Sequence, residues 1–148
     1  MLSFVLKWFS RISANYPRIF ADMNENEISF LIRGAAFKVH NTLGPGLLES
    51  VYERALTYEL RSSGLEVKNQ LGIPMIYREV HFDCGFRLDI LVNNLVIIEV
   101  KSVDILLDIH HKQLLTYLKL TNKKLGLLIN FNAISLNKTA LIRIVNNL

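Results

Sequence analysis

The stretch from Phe86 to Lys101, Phe-Arg-Leu-Asp-Ile-Leu-Val-Asn-Asn-Leu-Val-Ile-Ile-Glu-Val-Lys, restricts the fold of this chain more than any other. It reads as two apolar strands joined at Asn93-Asn94. Side chains two apart on a strand point to the same face. Leu88, Ile90 and Val92 therefore form one stripe, and Val96, Ile98 and Val100 another. If the stripes share a face, Asp89, Glu99 and Lys101 share the opposite one. A one-residue slip would separate the carboxylates across the sheet. A two-residue turn at Asn93-Asn94 gives that wrong parity, so the pattern predicts a three-residue loop, Asn93 to Leu95, or a bulge in one strand.

Two carboxylates and an ammonium on one face have a chemical use. Asp89 and Glu99 offer hard oxygen ligands of the kind Mg²⁺ accepts, leaving positions for water and phosphate. Lys101 can hold an attacking water or offset charge building on phosphoryl oxygens. The structural alternative is a solvated strand face carrying a Glu–Lys neighbour pair.

A chain of 148 residues suits one domain with a sizeable core. At 51% hydrophobic and 20% charged residues it is globular and more apolar than average. That surplus fits either a buried dimer interface or a well-filled core. The single cysteine, Cys84, has no internal partner, which fits a reducing cytoplasm. Its apolar strand neighbours give it a packing role, and no Cys/His cluster has zinc-site spacing. The net charge of +4 is compatible with a polyanionic partner without requiring one. Half of that excess lies in residues 1–22, where Lys7, Arg11 and Arg18 face one acid, Asp22.

That opening segment is mixed apolar and basic, with Phe4, Val5, Leu6, Trp8, Phe9 and Ile12. It is a poor signal peptide and too short and polar for a membrane span. It is read as an N-terminal extension, either disordered or appended to a domain covering residues 23–148. A partner-binding arm and a membrane-surface anchor are the functional alternatives.

From Asn24 the helix signals are strong. Asn24 with Glu27 resembles a capping box, and Ile28, Leu31, Ile32, Ala35, Ala36 and Val39 recur at helical spacing up to a stop at His40. Gly44-Pro45-Gly46 breaks the chain. A second helix is predicted from about Leu47 to Ser62, with Leu48, Val51, Tyr52, Ala55 and Leu56 inward and Gly64 as its stop. Glu49 falls in its first turn, where the helix dipole favours a carboxylate; it is equally placed to add a metal or water contact. Residues 66–92 are strand-like, with a hairpin turn at Arg78-Glu79 and a bulge marked by Gly85. Arg87 shares the expected face of Asp89, for phosphate binding or carboxylate pairing. A third helix is expected over roughly Asp104 to Leu120, with Leu107, Leu114, Leu115 and Leu118 inward. Gln113 and Tyr117 then lie four apart on one side, with His110 a turn earlier. Lys124 to Phe131 suits a strand buried on both faces, and Leu141 to Val145 an edge strand.

The order helix, helix, three antiparallel strands, helix, strand, with Asp on the second strand and Glu-x-Lys on the third, resembles the PD-(D/E)XK nuclease superfamily core. Gly46-Leu-Leu-Glu49-Ser-Val-Tyr52 is similar to the signature of the bacterial GxxExxY proteins, a branch grouped with that superfamily. Asp83 to Asp89, Ile98 to Ser102, Gln113 to Tyr117 and Gly126 to Phe131 resemble further blocks of that branch in order and spacing, and the likeness spans roughly Asn24 to Val145. It implies an α/β (α+β) restriction-endonuclease-like core, αα-βββ-α-β, with a mixed central sheet of four to five strands flanked by helices. It also implies metal ligation by Asp89 and Glu99 with the Val100 carbonyl joining, a water-orienting Lys101, and an additional acid in Glu49. Gln113 and Tyr117 match a QxxxY motif that lies beside the site and near nucleic acid in several branches. Leu88 stands where the motif's proline would be.

The expected function is a Mg²⁺-dependent nuclease, with Mn²⁺ as a substitute, cutting DNA rather than RNA in the cytoplasm. A homodimer or protein partner would compensate for the small size. The competing expectation is a non-catalytic binding or regulatory module that keeps the fold.

Overall fold

Asn24 accepts the Glu27 backbone N–H at 3.0 Å, and the Glu27 carboxylate takes the Asn24 N–H at 2.8 Å. This capping box starts helix α1, Glu25–Leu43, in the computed structural model, which describes residues 22–148. The expected extension over residues 1–22 thus lies outside the described residues except for Asp22. Helix α1 runs three residues past the expected stop at His40 and ends where Gly44 turns out of the helix. His40 stays within the helix because its ring is used elsewhere: Nε2 meets the Ala133 carbonyl at 2.7 Å.

Helix α2 is Glu49–Ser62 and ends as its sequence predicts. Gly64 takes φ +86°, and Leu65 N–H reaches back to the Leu60 carbonyl at 3.2 Å. The inward face is Tyr52, Leu56 and Leu60. Leu48 and Val51 are exposed, contrary to the sequence reading, because Leu48 is the cap rather than a helical residue and sets the face of nothing after it.

Strands β1, Val67–Tyr77, and β2, Val80–Val92, form the expected hairpin closed at Arg78-Glu79. Its register shifts between Ile73 and Met75, leaving Asp83, Cys84 and Gly85 opposite Pro74. The bulge read from Gly85 is therefore present, and a Cβ at Gly85 would collide with Met75 at 2.5 Å. Cys84 is exposed there, so its expected packing role is wrong. The outer hairpin lies beyond the part of β2 that pairs with β3, and Ile76, Tyr77, Val80 and Phe82 are exposed.

Strand β3 is Val96–Lys101. It follows a three-residue loop at 93–95, the first of the two outcomes the parity argument allows, with Asn93 and Asn94 both in the left-handed region. Helix α3, Asp108–Thr121, begins four residues later than expected. Its cap is unusual: His110 Nδ1 accepts the Leu107 N–H at 3.0 Å. That bond occupies His110 at the helix entry and leaves Leu107 exposed. Strand β4, Leu125–Asn130, is buried throughout and β5, Leu141–Val145, is the edge.

The sheet order is β1-β2-β3-β4-β5, antiparallel except for the parallel β3–β4 pair. Helix α3 supplies the crossover that a parallel pair needs. Two apolar clusters sandwich the sheet. The larger joins α1 and α2 to Ile90, Val92, Val96, Ile98, Val100, Leu127 and Ile129. The smaller joins Leu114 and Leu118 of α3 to Leu88, Leu91, Ile97 and Leu128. Each fully buried Leu or Ile contributes about 2 kcal/mol of transfer free energy. Gly126 lets α3 sit close, since a Cβ there would meet Leu114 at 2.9 Å. The result is the mixed α+β, restriction-endonuclease-like architecture, with five strands flanked by three helices among the described residues.

One detail departs from the sequence parity. Leu88 packs with the α3 cluster while Ile90 packs with the α1/α2 cluster, so the two do not share a stripe. Strand β2 turns over at Asp89.

Candidate active site

The pairs Ile90↔Ile98, Leu91↔Ile97 and Val92↔Val96 fix the register. Continuing it by one residue sets Asp89 across from Glu99. The ladder stops there, and Asp89 Oδ2 takes the Val100 N–H at 2.9 Å. A side chain thus substitutes for a backbone acceptor at the point where β2 leaves β3. This anchors Asp89 beside Glu99, as the sequence implies, although the reason is a break in the strand as well as simple alternation.

Glu99 is buried, 3% exposed, on a strand whose other residues are aliphatic up to Lys101. Lys101 Nζ lies 4.0 Å from Glu99 Oε2, and Glu99 Oε1 has no hydrogen-bond partner. Burial and the neighbouring Asp89 push the Glu99 carboxyl up to about 8, against the pull of Lys101 and the Asp89 backbone N–H. Asp89 is also raised. Burial is the main cause, Glu49 adds to it, and the Val100 N–H and Lys101 oppose it. At neutral pH, with no cation, the two carboxyls hold a proton between them.

Glu49 reaches this strand end through the Gly46-to-Tyr52 motif, and each named residue of the motif has a physical task. Gly46 takes φ +99°, which a side chain would resist, and its N–H meets Asn132 Oδ1 at 3.1 Å. The Tyr52 hydroxyl donates to the Gly44 carbonyl at 2.6 Å and accepts the Leu47 N–H at 3.1 Å, closing the loop. Its ring stacks on Phe131 at 4.8 Å. The loop is tied to the end of β3 where Ser102 Oγ donates to the Leu47 carbonyl at 2.6 Å. Glu49 Oε1 then accepts the Ser102 N–H at 3.2 Å. Helix α2 is thereby docked with its N-terminus at the site.

A cleft of about 640 Å³ opens here, lined by Glu49, Glu53, Gln70, Asp89, Val100 and Ser102 among others. Glu99 and Lys101 do not line it. Among the described residues no three His, Cys, Asp and Glu side chains form a ready-made metal cluster. The donors that converge are the Asp89 and Glu99 carboxyls, with Glu49 held one step away by Ser102. Their chemistry still suits a hard divalent cation: the unpartnered Glu99 oxygen and the shared proton are what such an ion would satisfy and displace.

Tyr117 and Gln113 form one unit, with Gln113 Nε2 donating to the Tyr117 hydroxyl at 2.8 Å and Phe86 stacked on the Tyr117 ring at 4.6 Å. The Tyr117 hydroxyl is raised by burial and by the charges of Glu99 and Asp89, so this unit stands beside the carboxylates. Neither side chain hydrogen-bonds Lys101. Arg87 is exposed and makes no ion pair with a described residue; the turnover at Asp89 removes the shared face that the sequence parity gave it. Sequence reasoning missed Glu53 and Gln70, which line the cleft. The available signal was the spacing of Glu53, four residues after Glu49 on one helix.

Among known proteins, the family model described as the PD-(D/E)XK nuclease superfamily matches residues 26–144. No curated protein and no solved structure matches the chain.

Proposed function

The chain belongs to the PD-(D/E)XK nuclease superfamily, and from that premise we propose a divalent-metal-dependent nuclease of the GxxExxY branch that hydrolyses phosphodiester bonds in DNA rather than RNA. The observation that carries this reading is the Asp89–Glu99 pair, half-buried and buried, both raised in pKa, with Glu99 Oε1 lacking a hydrogen-bond partner and Oε2 4.0 Å from the Lys101 ammonium. A buried carboxyl oxygen without a hydrogen-bond partner costs stability, and a site that keeps one does so for use.

Asp89 and Glu99, with the Val100 carbonyl, would hold the ion, which is Mg²⁺ in this reading with Mn²⁺ as a substitute. Glu49 would engage it through water or directly after a small rotation away from Ser102. Such an ion supplies Lewis-acid polarisation of the phosphate and a more acidic water. Lys101 would orient an attacking water and offset charge that develops on the phosphoryl oxygens. Gln113 and Tyr117, with Phe86 stacked on the tyrosine ring, form a hydrogen-bonded wall against which the nucleic acid rests. Among the described residues no helix is long and apolar enough to cross a membrane.

The test is incubation of the full chain with single- and double-stranded DNA and RNA in Mg²⁺ or Mn²⁺. Metal-dependent cleavage that falls on the order of a thousandfold in Asp89→Ala and Lys101→Ala is expected. No cleavage of any substrate, or cleavage unchanged in those variants, would remove the enzyme and leave a binding module.

A further inference from the structure

Antiparallel strands β1 and β2 pair as Asn69↔Ile90 and Leu71↔Leu88, and the residues between, Gln70 and Asp89, are missing from the ladder. The register does not slip across this gap. What changes is the side-chain direction. Asn69 bonds to α2, with Nδ2 2.7 Å from Thr57 Oγ1, whereas Leu71 packs on the α3 side. On β2, Ile90 packs with α1 and α2 and Leu88 with α3. Both strands therefore turn over at the same level. On β1 the turnover is made by Gln70 at φ +48°, a left-handed conformation that side-chain-bearing residues seldom adopt within a strand.

That conformation is strained for a residue with a side chain and persists where surroundings enforce it. Here the enforcement is visible. Glu53 on α2 accepts the Gln70 side-chain amide at 2.7 Å through Oε2 and the Asn69 amide at 3.2 Å through Oε1. One carboxylate clasps two consecutive side chains of β1, Asn69 just before the flip and Gln70 at it. All of this lies directly across from Asp89, which is thereby free of the ladder and turned to take the Val100 N–H.

We infer that Gln70, clasped by Glu53, is a positioning residue: its left-handed backbone holds β1 and β2 turned over so that the Asp89 carboxylate meets β3 beside Glu99. The assignment of a positioning purpose rests on the nuclease reading, but the geometric claim is measurable without metal or substrate.

The experiment compares full-length wild type with Gln70→Val, Gln70→Gly and Glu53→Ala by amide hydrogen exchange without metal. A β-branched residue resists positive φ, whereas glycine adopts it freely. Exchange of the Val100 amide is expected to quicken at least tenfold in Gln70→Val relative to the Ile97 and Ile98 amides, and less in Glu53→Ala. In Gln70→Gly it should stay within about threefold of wild type. Unchanged Val100 protection in a folded Gln70→Val would overturn the inference. Equal damage in Gln70→Gly would also overturn it, because the side chain rather than the backbone would then be responsible. Mn²⁺ calorimetry on the same proteins should show weaker binding in Gln70→Val with Gln70→Gly near wild type. If wild type binds no Mn²⁺ while the exchange pattern holds, the nuclease reading fails and the positioning geometry stands.

Discussion

Two neighbouring strands end at the same level, β3 at Lys101 and β4 at Asn130, and each brings one buried polar side chain there. Asn130 and Glu99 are equally inaccessible, at 3% exposure. Both polar atoms of the Asn130 side chain have partners. Its Oδ1 accepts the Val103 N–H at 3.1 Å and the Asn132 N–H at 3.2 Å, and its amide donates to the Val103 carbonyl at 2.8 Å. Glu99 keeps an oxygen with no partner and a proton it would lose in water. The same degree of burial thus serves two ends. Asn130 sews the loop after β3 to the loop after β4, and Glu99 holds binding capacity in reserve.

The sharpest way to break this contrast is to delete Asn130. Asn130→Ala strands the Val103 and Asn132 backbone groups and should cost about 3 kcal/mol in denaturant unfolding. A loss below 1 kcal/mol would mean water replaces the side chain and the contrast is weaker than drawn. Next in size is the response to cation. At a hundredfold excess over its dissociation constant, Mn²⁺ should stabilise wild type by about 2.7 kcal/mol, and Glu99→Gln should gain little. Equal stabilisation of both proteins would place the ion elsewhere.

The pH dependence of the metal-free protein tests the same contrast without an added ion. Glu99 titrates near 4.5 when unfolded and near 8 when folded, so the folded state binds the proton more tightly. The stability this group contributes is full below pH about 4.5 and is lost as pH rises through about 8. Thermal unfolding should therefore show a fall in melting temperature of several degrees over that window, largely absent in Glu99→Gln. A melting temperature that rises across the window would contradict a protonated Glu99.

The two polar residues also differ in how legible they were. Glu99 stands out in sequence because it interrupts Val96-Ile-Ile with a charge two residues before Lys101. Asn130 looks like a turn residue, since its partners come from two loops that only folding brings together. The capping box at Asn24, the stop at Gly64, the hairpin at Arg78-Glu79 and the buried run of β4 were legible because each depends on neighbours in the chain. Leu88 was misread for the opposite reason. Strict alternation assigns it to Ile90's stripe, but a turnover at Asp89, matched across the hairpin by Gln70, puts it against α3. Arg87 lost its expected face at the same step, and His110 was claimed by the entry to α3.

By itself, then, the sequence determined which segments are strands and helices, the loop length that sets Asp89 opposite Glu99, and the family pattern of acids and lysine. Those follow from local backbone preferences and from a side-chain period that the chain carries in its own order. The tertiary structure alone decided that one Glu99 oxygen has no hydrogen-bond partner, that Glu49 is docked on Ser102, and that Gln70 and Glu53 stand across from Asp89. Burial, desolvation and a matched break in two strands arise between segments distant in the chain, and no window of one strand contains them.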